Sequence, residues 1–222
     1  MKEKKDEIVL RNSKTEKTLD IASFVSSAIP WIGSPISNVL SGVSFGRKIG
    51  RVREALKDLA KDLTNFKSQV SEKYVKTEEF EELLEKTLLM IADERNEKKR
   101  KIFREFLVGV IKSPSEPYDE QIMILKTIEQ LQSEHIRIIR AISQTPQPEE
   151  SDMMFGAPIN TLSRRLPGIP SDRMEELVHQ LNNLHLTNLT GLRVMMTGRA
   201  AADLGHFITS YGKRFIDFII EE

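Results

Sequence analysis

Apolar residues recur at steps of three and four through most of the chain, and that spacing predicts helices. Val52, Leu56, Leu59, Leu63, Phe66 and Val70 trace the apolar face of a helix running on from Arg51. A second helix opens at Thr77, a residue suited to cap it, and the acids Glu78 and Glu79 suit its positive end. Its stripe is Phe80, Leu83, Leu84, Thr87, Leu88 and Ile91, continued by Ile102, Phe103, Phe106, Leu107 and Val110. Between these halves ADERNEKKRK, residues 92–101, places Arg95 and Lys98 or Lys99 on the inward phase. Buried charge is costly unless paired, so this patch is a polar site in a bundle, a membrane-facing basic patch, or a helix end projecting past the core. The prolines of SPSEPYDE, residues 113–120, predict a loop. A third amphipathic helix carries Ile122, Leu125, Ile128, Leu131, His135, Ile138, Ile139 and Ile142 on one side, where His135 reads as a hydrogen-bonded core residue. QTPQPEESD, residues 144–152, is polar and proline-punctuated and reads as a linker.

After the linker the pattern changes to a helix, a short Pro-Gly turn and a second helix, the arrangement of a helix-turn-helix. Ile159, Leu162 and Leu166 form the first apolar face. Ser171 is placed to cap the second helix, whose face is Met174, Leu177, Val178, Leu181 and Leu184.

One stretch obeys a different rule. IASFVSSAIPWIGSPISNVLSGVSFG, residues 21–46, has no charged side chain, although the chain contains 33 basic and 33 acidic residues. Seven serines and Asn38 dilute it, and Pro30, Gly33 and Pro35 interrupt it, which argues against one continuous spanning helix. Its pattern predicts two short helices, about 20–29 and 35–46, joined by a turn around Trp31. Each arm reaches only ~15 Å, about half a hydrocarbon core. The hairpin can lie in a membrane interface with Trp31 at headgroup depth, or serve as close-packed inner helices of a soluble bundle, for which its small residues also suit it. In the first case Phe24, Ile29, Trp31, Ile32, Val39, Leu40 and Phe45 contact lipid, and Arg47, Lys48, Arg51 and Arg53 face anionic headgroups.

Charge narrows the partners. Residues 47–112 hold 17 basic and 13 acidic side chains, and residues 114–152 hold 3 and 8, so the middle of the chain is polarised although the total is balanced. The absence of cysteine excludes disulfides and thiolate chemistry. The mixed-charge residues 1–19 do not form the basic head of an export signal, and the expectation is a cytoplasmic protein, able to sit peripherally on the inner membrane. No phosphate loop, nucleophile arrangement or metal-ligand spacing stands out, so the expectation is a protein that is not an enzyme and needs no cofactor or metal. His179 and His185, six residues apart, face different sides of a helix.

Two resemblances attach to these residues. SDRMEELVHQLNNLHLTN, closed by Thr209, Gly212 and Phe215, resembles the ending of bacterial winged-helix domains over residues 155–222, departing from them in a long insert at 190–202. IPWIGSPISNVLSG with RKIGRVREALKDL is similar to the bacterial relatives of HeLo and Bell-type cell-death domains over residues 20–143. The second likeness implies a self-assembling immunity effector that acts on the cell's own membrane.

The resulting expectation is an all-α protein. It has a charged segment 1–19, a helical bundle over 20–143, a linker over 144–152 and a winged-helix-like domain over 153–222. Its expected role is a non-catalytic, membrane-directed effector or adaptor whose C-terminal domain binds a protein partner, acting as a homo-oligomer. The other expectation is a DNA-binding regulator with Arg164, Arg165, Lys213 and Arg214 on phosphate. The second helix of the C-terminal pair carries one Arg and three acids over residues 171–185, which favours protein contacts over a DNA groove.

Overall fold

In a computed structural model of the chain, residues 46–65, 71, 73–112, 114, 116–147 and 154–219 are described. The hairpin with Phe24, Ile29, Trp31, Ile32, Val39, Leu40 and Phe45 lies outside them, as do residues 1–19, Phe66, Val70 and residues 148–153 of the expected linker region. The described residues form nine α-helices and one two-stranded sheet, so the all-α class holds. By compactness the chain divides into two units, Met1–Leu125 and Lys126–Glu222.

The first unit is built from three mutually packed helices, α1 (Gly46–Asn65), α2 (Glu78–Asp93) and α3 (Glu97–Lys112). The stripe Val52, Leu56, Leu59 and Leu63 is buried, as are Phe80, Leu83, Leu84, Leu88 and Ile91 of α2 and Ile102, Phe103, Phe106, Leu107 and Val110 of α3. Burying each such side chain contributes ~1.5–3 kcal/mol relative to exposing it. Thr87 joins the stripe because its hydroxyl donates to the Leu83 carbonyl at 2.8 Å. Thr77 caps α2 by accepting from the Phe80 N–H at 3.3 Å. The long charged-interrupted helix, however, is two helices. Glu94 accepts the Asn96 N–H at 2.7 Å, Asn96 accepts the Lys98 N–H at 2.9 Å, and Arg100 donates to the Arg95 carbonyl at 3.0 Å. These bonds end one helix and start the next, which resets the phase and leaves Arg95 and Lys98 exposed. Within the charged decad only residues 94–96 form the turn, and the rest are the last residues of α2 and the first turn of α3.

Helix α4 (Tyr118–Gln130) starts inside the segment expected to be loop, because Asp119 and Glu120 suit a helix N-terminus. The expected third helix is also divided, into α4 and α5 (Ser133–Ser143), at Leu131 and Gln132.

In the second unit α5 packs on α6 (Pro158–Arg165) and α7 (Ser171–Asn183), and its Ile136, Ile138, Ile139 and Ile142 are buried. Helix α5 thus packs with the C-terminal elements, within the unit Lys126–Glu222. Helices α6 and α7 are the expected pair, joined through Pro167 and Gly168. Ser171 does not cap α7: Pro170 holds that position and Ser171 is the first helical residue. Strand β1 (Phe155–Gly156) pairs antiparallel with β2 (Met196–Thr197), Phe155 opposite Thr197. The short α8 (Gly198–Ala202) follows β2, and α9 (Ser210–Ile219) closes the described residues.

The end of α7 accounts for the Thr-x-x-Gly-x-x-Phe spacing. His185 adopts φ 57°, the Leu186 N–H donates to the Leu181 carbonyl at 3.0 Å, and the His185 N–H donates to the Asn182 carbonyl at 2.9 Å. This is a Schellman closure with a non-glycine residue in the left-handed position. Thr209 then donates to the His185 carbonyl at 2.5 Å and accepts the Gly212 N–H at 2.9 Å, capping α9. A Cβ on Gly212 would lie 2.0 Å from the Leu186 carbonyl oxygen, so only glycine lets α9 cross here, and Phe215 one turn later is buried. Gly212→Ala is expected to destabilise the protein by about 2–4 kcal/mol, measured by urea unfolding, because backbone rather than a flexible side chain must move.

Candidate functional site

The basic residues expected at a membrane are divided between two uses. Lys48 pairs with Asp93, and Arg51 donates to the Ala92 carbonyl at 2.8 Å and the Asp93 carbonyl at 3.3 Å. Both therefore engage the negative C-terminal end of α2, Arg51 through its carbonyls and Lys48 through the Asp93 carboxylate. Arg47 and Arg53 are exposed on the first turns of α1. A charged cleft of about 100 Å³ lies between α1 and α3. Its cations are engaged by the protein: Arg51 by the α2 carbonyls, Arg100 by Glu54 at 3.6 Å, Lys101 by Glu105 at 3.6 Å, and Arg104 by Asp58 and Asp62 at 3.0 Å. Those pairs knit α1 to α3 and leave little positive potential for an anionic ligand.

The residues proposed for DNA fare similarly. Arg165 donates from one nitrogen to the carbonyls of Ala141 at 2.6 Å and Gln144 at 3.3 Å, and from another to Ala202 at 3.0 Å. It closes the C-terminal ends of α5 and α8 at once and is not presented to a phosphate backbone. Arg164 and Lys213 are exposed and Arg214 is half-buried.

What the sequence reading did not single out is an exposed apolar surface on the second unit. Met154, Phe155, Val194 and Met195 are 81%, 62%, 57% and 65% exposed, whereas nearly every other large apolar side chain among the described residues is shielded. Pairing of β1 with β2 brings the two runs together, and the Gly198 N–H donates to the Met154 carbonyl at 3.3 Å. The loop that presents Val194 is fastened to α7. Asn182 donates to the Leu189 carbonyl at 2.9 Å and accepts the Thr187 hydroxyl at 2.6 Å. Arg193 bonds Asp172 at 2.9 Å and also pairs with Glu175. The Val194 N–H closes a turn onto the Gly191 carbonyl at 3.1 Å, and the Ile159 N–H holds the Leu192 carbonyl at 2.9 Å. A Cβ at position 191 would meet Val194 Cγ2 at 2.7 Å, so a larger residue there displaces the exposed Val194 side chain. These ties hold in place the backbone that presents Val194, which lowers the entropy cost of docking. Between the loop and α7 runs a cleft of about 640 Å³, floored by Val178, Leu189 and Leu192 and edged by Glu175, His179 and Arg193.

The insert 190–202, seen in the sequence as a departure from winged-helix proteins, is the segment that carries half of this surface. A compositional signal was present: Met153, Met154, Met195 and Met196 are four of the chain's eight methionines. Adaptable thioether side chains are over-used at binding surfaces.

His135 is a core residue, as expected. Its Nδ1 accepts the Gln132 N–H at 2.9 Å, which starts α5, and its Nε2 bonds Gln180 of α7 at 2.5 Å. The accepting Nδ1 assigns the neutral ring's proton to Nε2. Among the described residues no group of three or more His, Cys, Asp or Glu side chains is placed to hold a metal, and no helix is long and apolar enough to cross a membrane. Compared with known proteins, the chain matches no family model, no curated protein and no solved structure.

Burial pushes the His135 imidazole below its ordinary value; Arg173 acts in the same direction, while the bond to Gln180 and the charge of Glu134 oppose it. A depressed histidine stabilises the fold fully above the unfolded value of about 6.5. That contribution is lost as pH falls through the lower folded value, because the unfolded chain binds the proton first. The urea midpoint is expected to drop between pH 7.5 and pH 5, and to drop less in His135→Gln. Equal drops in the two proteins would remove His135 as the cause.

Proposed function

We propose that this protein is a non-catalytic, membrane-directed adaptor whose second unit docks a protein partner. One observation carries the docking half: four exposed apolar side chains held on a pair of strands and a fastened loop, beside an open cleft. Patches of this kind mark interaction sites on water-exposed proteins. The neutral charge balance of residues 153–222, with 7 basic and 7 acidic side chains, supports a protein partner over nucleic acid. The engagement of Arg165 with helix-end carbonyls supports the same preference.

The membrane half is supported by the charge-free segment 21–46 and by the exposure of Arg47 and Arg53 directly after it. A bacterial immunity role, in which docking at the second unit releases that segment toward lipid, fits both halves.

A photoreactive phenylalanine analogue at position 155 tests the docking half in living cells. A discrete adduct is expected, lost on Val194→Asp, while the same analogue at exposed Lys126 yields none. Absence of any position-155 adduct would remove the docking reading. For the membrane half, the full chain is floated with vesicles of phosphatidylglycerol and phosphatidylethanolamine. Trp31→Asp and Val39→Asp are expected to lower the bound fraction at least fivefold at unchanged helical content. Equal binding by all three proteins, or none by the wild type, would leave residues 21–46 without a lipid role.

A further inference from the structure

We infer that the partner docked on the second unit is a second copy of this chain, in a two-fold pair; this rests on the docking reading above. The surface is self-complementary. A symmetric dimer needs a surface on which residue i of one copy meets residue j of the other and the reverse. The second unit offers both halves of such a contact side by side. Its projecting half is Met154, Phe155 and Met195, and its concave half is the cleft of about 640 Å³ floored by Val178, Leu189 and Leu192. Val194 belongs to both, so the two halves are continuous. The cleft is open to solvent, so a projecting side chain can enter it without rearrangement of the loop.

Area and charge agree with this occupant. The four side chains are each more than half exposed and form one apolar patch on the second unit. A reversible pair of copies needs only a contact at the small end of specific interfaces, about 1,000 Å² in total. The rim charges are already paired within the chain, Arg193 with Asp172 and Glu175, so two copies bring no unbalanced charge to the rim. Residues 153–222 balance to zero, and two copies meet without net repulsion.

Sedimentation velocity of the full chain between about 1 and 100 µM is the test. A reversible dimer is expected, with Phe155→Asp and Val194→Asp each weakening it at least tenfold while helical content stays unchanged. Both positions are exposed, so the substitutions leave the core intact. The chain contains no cysteine, which permits a second measurement. A mixture of the single-site variants Phe155→Cys and Thr190→Cys is expected to form the mixed disulfide faster than either homodisulfide, as projection meets cleft. A wild type that stays monomeric at 100 µM overturns the inference. If position 155 then still captures another protein in cells, docking stands and only the identity of the partner changes. If it captures nothing, both readings fall.

Discussion

The closing turn of α7 is the constraint from which the second unit follows. A helix that ends in exposed carbonyls has no fixed direction of exit. Here the left-handed His185 and the two Schellman bonds send the chain back along the helix it has just left. Thr209 donates to the carbonyl of His185 itself, and the missing side chain of Gly212 allows α9 to cross within contact of Leu186. With that turn fixed, Asn182 and Arg193 can fasten the returning loop to α7, and the exposed apolar surface comes to rest on a rigid support.

Four cations among the described residues serve helix ends. Arg51 and Lys48 serve the end of α2, Arg100 the turn between α2 and α3, and Arg165 the ends of α5 and α8. A guanidinium that satisfies two or three carbonyl acceptors is held by directional bonds and by the partial negative charge of the helix end. Such residues look like a ligand-facing patch in a sequence, since charge and spacing are all that a sequence displays. Their engagement shifts the functional weight from basic residues to apolar ones.

The apolar stripes of α1, α2 and α3 were legible because a period of 3.6 residues has one physical meaning when it persists over several turns. Thr77 as a cap and His135 as a hydrogen-bonded core residue were legible for a similar reason: each satisfies a local need. The breaks at Glu94–Asn96 and Leu131–Gln132 were not. Each depends on a few side-chain-to-backbone bonds that do not disturb the apolar period on either side. The assignment of α5 to the second unit was illegible too, because an apolar face does not say which neighbour will cover it.

By itself the sequence determined that this is a helical protein with an uncharged proline-broken segment before its first described helix, and it determined which faces of the helices are apolar. Those facts follow from composition and period, which are properties of the chain alone. Only the tertiary structure decided which apolar residues remain uncovered. Met154 and Phe155 stand 40 positions away from Val194 and Met195, and pairing of β1 with β2 is what makes them one surface. Exposure is a relation between distant segments, set by what packs over a residue, and no local pattern encodes it.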